Sequence, residues 1–147
     1  MKTFLKIFAL ACVLGTGLLL ANAEDKIVPG PKGGKLLENP SPRAEFFIDK
    51  DRKVVVTFYD DSLKMVPAGE QTATMILQPP QMRRKIEFEK KDGTLVSQSA
   101  LPEGNDYAVV FQLKVKPGEP SQNFRIVADT RPCGKCKRPE YACSCGH

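Results

Sequence analysis

Tryptophan is absent from this chain, and histidine occurs once, at His147. Of its five cysteines, none lies between Val13 and Pro132. Each absence narrows the chemistry. With the lone imidazole at the final position, no serine or cysteine of the body has a histidine base beside it, so Ser–His and Cys–His hydrolytic catalysis is not expected. A body without cysteine has no internal disulfides to staple it. Aromatic residues make up 7% of the chain and the formal charge is +5, too dispersed for a nucleic-acid-binding face. No stretch shows helical periodicity beyond a turn or two. Nothing catalytic stands out, and a non-enzymatic protein is expected.

The first residues carry an export pattern. Lys2 and Lys6 precede an apolar run over 7–20, and Ala21-Asn22-Ala23 supplies a small-x-small cleavage site. A cleavable signal peptide over 1–23 is expected, with a periplasmic or secreted product and no membrane insertion after cleavage, because the run is too short to span a bilayer. Cys12 and the two lysines leave with the leader, which lowers the formal charge to about +3 and leaves cysteine only in the final fifteen residues.

The rest divides into a lead-in, a body and a tail. Pro29, Gly30, Pro31, Gly33 and Gly34 mark 24–35 as extended and without regular structure. The body, 36–129, alternates short β patterns with turn residues. Strands are expected at 36–37, 44–48, 53–59, 71–78, 85–90, 94–98, 107–115 and 123–128. Over 53–59, Val54, Val56 and Phe58 alternate with Val55, Thr57 and Tyr59, so both faces are apolar and the strand is expected at the centre of a sheet. Asp92-Gly93 is the best hairpin signal. Asp49/Asp51 and Asp60-Asp61 are read as turn formers where strands stop. Met65, Met75 and Met82 are read as core and loop residues, not a thioether copper site. The pattern implies an all-β fold, an antiparallel immunoglobulin-like β-sandwich of about seven strands, with a small barrel as the alternative.

The tail, 130–147, concentrates the chemistry. Cys133, Cys136, Cys143, Cys145 and His147 form a C-x2-C-x6-C-x-C-x-H pattern. Two residues between Cys133 and Cys136 let both sulfurs face one point, and alternate positions in an extended segment put Cys143, Cys145 and His147 on one side. Four of these five donors satisfy a tetrahedral zinc ion, and dense thiolates equally suit Cu(I), so one site for either metal is expected on a flexible end. Lys135, Lys137 and Arg138 offer positive charge to offset the thiolates and lower their pKa values. Because export leads to an oxidising compartment, disulfides within the tail are the competing reading. A thiol–disulfide exchange enzyme using Cys133 and Cys136 fits less well, since such pairs open a helix and this one lies in a basic tail.

Gly30-Pro31-Lys32-Gly33-Gly34-Lys35-Leu36-Leu37 resembles a segment of the periplasmic adaptor subunits of heavy-metal efflux pumps of the resistance–nodulation–division class. In these a His-Gly-Gly-x-Leu/Ile stretch precedes a small β-domain. The 53–59 strand, the turn Asp60-Asp61-Ser62-Leu63-Lys64-Met65-Val66-Pro67 and the loop Leu101-Pro102-Glu103-Gly104 are similar to the same module, so the likeness covers 30–116. Lys32 stands where the family often has histidine, and the lipoyl-like and coiled-coil parts of an adaptor are missing. The Glu140-Tyr141-Ala142-Cys143 tail resembles those of small exported bacterial proteins that pair it with such a module. The resemblance implies a stand-alone accessory to metal efflux or homeostasis, with an envelope efflux component as partner.

Overall fold

The computed structural model describes residues 26–37, 39–78, 83–105 and 107–146. The expected leader, Pro79-Pro80, Met82 and His147 therefore lie outside the described residues. The fold is all-β and antiparallel, as expected. In chain order the strands are β1 (Val28–Pro29), β2 (Lys35–Leu37), β3 (Arg43–Ile48), β4 (Val54–Tyr59), β5 (Met65–Val66), β6 (Thr72–Leu77), β7 (Lys85–Lys91), β8 (Thr94–Ser97), β9 (Ala108–Lys114) and β10 (Gln122–Val127). The eight body strands lie where the alternation puts them. Two more than the pattern shows are β1, inside the lead-in read as unstructured, and β5. Each spans only two residues, too short for an alternation to register. Among the described residues, no helix is long and apolar enough to cross a membrane.

Instead of dividing into two separate sheets, the strands form one hydrogen-bonded path, β1-β2-β3-β4-β8-β7-β6-β9-β10, with β5 beside β4. Continuity comes from β7. Its first half, Lys85 to Glu87, pairs with β6, and its second half, Phe88 to Lys91, pairs with β8. One strand thus turns the corner between two layers. Laid flat, β3 and β9 would sit five strand spacings apart, about 24 Å. The rings of Phe46 on β3 and Phe111 on β9 instead meet edge-to-face with centroids 5.4 Å apart. The sheet is therefore curled into a half-barrel around a single core.

That core follows the sequence alternation. Phe46, Val54, Val56, Phe58, Met75, Ile86, Leu95, Phe111 and Leu113 are fully or almost fully buried. Met75 is core filler as read, while Met65 is exposed. The turns also behave as expected. Asp49 Oδ1 accepts the N–H groups of Asp51 and Lys53 at 2.9 and 2.8 Å, and Asp60 Oδ1 those of Ser62 and Lys64, both at 2.9 Å. These carboxylates are occupied in holding turns, as Asp side chains commonly do. Asp92 and Gly93 both take positive φ, as a tight hairpin requires.

Candidate metal centre

The segment after β10 is no free end. It returns along itself and packs into the open side of the curled sheet. Asn105 Oδ1 accepts from Thr130, both from its N–H at 3.1 Å and its Oγ1 at 2.7 Å. Arg131 folds back on Asp129 and holds that carboxyl below the usual carboxylate range. Pro132 and Pro139 then bridge two antiparallel arms, fixed further by Glu140 N–H to Arg131 O at 2.9 Å and Tyr141 N–H to Asp129 O at 3.0 Å. A short 3-10 turn, Glu140–Ala142, follows.

Tyr141 anchors the whole segment. Its ring is buried in the core, edge-to-face on Phe46 with centroids 6.1 Å apart. Its hydroxyl accepts the N–H of Ile48 at 2.9 Å. β2 ends its pairing with β3 opposite Phe46, so Tyr141 satisfies a backbone donor that the sheet leaves open. Burial pushes the phenol up to about 12, in spite of the opposing Ile48 hydrogen bond and with help from the nearby Glu45 charge.

On this frame sit the cysteines. Cys133 closes the first arm: its N–H donates to Arg138 O at 2.7 Å, and its carbonyl accepts from Lys137 N–H at 3.0 Å. Lys137 takes φ 64°, the left-handed turn that brings the carbonyl of Arg138 back to the Cys133 N–H. Cys143 follows Ala142 in extended conformation, its N–H donating to Glu140 O at 3.1 Å. The outcome is that the sulfurs of Cys133, Cys136, Cys143 and Cys145 all lie within 4.8 Å of one another. Cys136 and Cys143 are 3.7 Å apart. Zinc–sulfur bonds of about 2.3 Å at tetrahedral angles put neighbouring sulfurs about 3.8 Å apart. Bonded disulfide sulfurs would lie near 2.05 Å, and none of the four cysteines is in a disulfide.

The electrostatics of the group are uneven. Backbone N–H of Cys136, the Cys143 thiol and backbone N–H of Lys135 converge on the Cys133 sulfur and draw its pKa down to about 6. For Cys143, the N–H of Cys145 favours the thiolate, but hydrogen bonding to the Cys133 sulfur, burial and the other thiols outweigh it and push it up to about 12. The Cys145 thiol is also raised, first by its hydrogen bond with Cys136. The depression expected from lysines thus comes from backbone amides and a neighbouring thiol. Lys137 Nζ is instead bonded to Gly134 O at 3.0 Å.

Four of the five residues expected to bind metal are therefore brought together, and His147 lies outside the described residues. Sequence reasoning passed over two residues. Tyr141 was one, although an aromatic in an otherwise polar tail is a signal that it is tethered. Glu45 was the other, a charge inside an apolar strand alternation. Its fully buried carboxylate accepts the N–H of Gly34 at 2.7 Å, the N–H of Lys32 at 3.0 Å and the hydroxyl of Tyr59 at 2.7 Å. A side chain at Gly30 would collide with it. The Gly-rich lead-in is therefore wrapped on Glu45, with Lys32 serving through its backbone. Compared with known protein families, with curated proteins and with solved structures, the chain matches none.

Proposed function

We propose that this is a non-enzymatic metal-binding protein of the periplasm, which holds one zinc or Cu(I) ion on four thiolates and serves as an accessory to metal efflux or homeostasis. One observation carries the reading. An otherwise cysteine-free domain brings four sulfurs within 4.8 Å of one another, at a spacing that suits a thiolate-bound ion. Two disulfides would need the sulfurs in two pairs; here all four converge. The export pattern and the resemblance of 30–116 to efflux adaptor domains supply the compartment and the partner class.

The test is metal content. Protein purified under reducing conditions and challenged with zinc or Cu(I) should retain about one equivalent, as expected for a four-thiolate site. Cys133→Ser and Cys143→Ser should lose it. Retention near zero, or unchanged by those substitutions, rejects the proposal.

Tyr141 favours a second reading, in which the ion is structural and the β-domain binds another envelope protein. A tail locked into the core closes the open side of the sheet, and a metal or disulfides would keep it closed. Mass spectrometry without reductant separates the disulfide form, since each bridge removes two hydrogens and leaves no free thiol there.

A further inference from the structure

The four sulfurs are not held alike. Cys133 and Cys143 are buried, whereas Cys136 and Cys145 are half-buried and form the solvent edge of the group. Cys133 is fixed by the two backbone bonds to Arg138 and Lys137 that close its loop. Cys143 ends the turn that Tyr141 pins into the core. Cys145 has a different footing. Its N–H is spent on the Cys143 sulfur at 3.4 Å. Among the described residues, no backbone–backbone hydrogen bond ties Ser144, Cys145 or Gly146 to the rest of the molecule. Ser144 and Gly146 on either side are exposed, and Gly146 has φ 58°. Two ligands therefore belong to the framework, Cys136 lies inside the loop that the Cys133–Lys137 and Cys133–Arg138 bonds close, and Cys145 is attached chiefly through its sulfur contacts.

We infer that a metal held here is exchanged by ligand replacement at the Cys136–Cys145 edge, with Cys145 yielding first to an incoming thiolate while Cys133 and Cys143 retain the ion. This rests on the metal-binding reading above and extends it from holding an ion to passing it on. The acceptor class is a thiolate-bearing molecule able to approach the half-buried edge. In the step, the incoming thiolate sulfur bonds to the ion and the bond to Cys145 breaks. Cys145 leaves as a thiolate, with the electron pair of the broken bond. The metal keeps its oxidation state and no oxidant or reductant is required. A closed structural site would instead have all four ligands locked equally, with no open position for replacement.

The experiment loads the reduced protein with one equivalent of zinc and follows release to excess glutathione, read with a chromogenic zinc indicator. Cys145→Ser is expected to weaken zinc binding less than Cys133→Ser does and to release the ion at least about tenfold faster than the unsubstituted protein, the lower end of what even outer contacts to a metal ligand are worth. Cys133→Ser is expected to lose stoichiometric binding. Amide spectra of β4 and β9 confirm that each variant keeps its body, and Cys145→Ala serves as a second variant. The inference is overturned if Cys145→Ser loses binding as fully as Cys133→Ser, or releases zinc at the unsubstituted rate. Failure of the unsubstituted protein to bind zinc or Cu(I) would instead reject the metal-binding reading itself.

Discussion

The curled sheet and the cysteine-bearing tail are stabilised by different means. The sheet buries a continuous apolar core, from Leu37 and Phe46 to Leu113 and Ile126, and contains no cysteine. Burial at about 25 cal/mol per Å² of apolar surface is enough to hold such a core. Among its described residues, the tail contributes only Tyr141 and Ala142 to that core, while exposing Lys135, Lys137, Arg138 and Ser144. A segment with so little to bury has to order its backbone by other means, at a cost of about 1–2 kcal/mol per residue. Hydrogen bonds between its two arms supply part of this, and a metal on four thiolates would supply the rest. Small units poor in apolar residues commonly depend on such staples. The difference teaches that the body should fold without metal and that the tail should not stay docked without it.

Four substitutions or conditions break or sharpen this comparison. The largest effect belongs to Cys133→Ser, which should abolish metal retention and release the tail while the body keeps its β-sheet circular dichroism. Next is Tyr141→Ala, which should cost about 3–5 kcal/mol in denaturant unfolding by emptying a buried aromatic site. It should also weaken metal binding, because it frees the turn that positions Cys143. Glu45→Ala should cost about 2 kcal/mol by leaving buried donors unpaired, yet leave metal affinity unchanged, since Glu45 holds the lead-in. Alkali should produce the mildest effect. The phenol of Tyr141 stays protonated in the fold up to about 12 but ionises near 10 when released. The folded state then binds the proton more tightly, so its advantage is full below pH 10 and declines as pH rises toward 12. Absorbance of phenolate, followed with tail fluorescence labels, reads that window.

Metal affinity should itself depend on pH, in the opposite direction. Cys143 and Cys145 are raised above ordinary thiol values, so protons compete with the metal for them. Affinity therefore increases as pH rises, and a titration of zinc binding between pH 6 and 9 should show it.

Much of this was legible in the sequence, for identifiable reasons. Strands with clean alternation, such as 85–90 with Ile86 and Phe88 against Glu87 and Glu89, announce their own inner face, and they lie where expected. Aspartates at strand ends declared their turns. The cysteine spacing likewise put the sulfurs together, because the C-x2-C turn and the extended Cys143–Cys145 segment are local geometry. The single path through the sheet was not legible. It depends on β7 dividing its hydrogen bonds between β6 and β8, a non-local choice that alternation does not encode. Docking of the tail was hidden for the same reason. The Ile48 N–H becomes available only because β2 stops short, ninety-three residues away from the tyrosine that uses it. Glu45 was obscured because a lone charge in a strand ordinarily faces water, and the lead-in that covers it carries no apolar pattern.

The most direct test is amide hydrogen exchange on the reduced protein, with one equivalent of zinc and after its removal by a chelator. Protection at Cys133 and Tyr141, whose N–H groups close the arms of the tail, should fall at least about tenfold without metal. Protection at Val56 and Phe111 in β4 and β9 should hold. Equal protection of the tail with and without zinc would contradict the account, because the tail would then be held by the sheet alone.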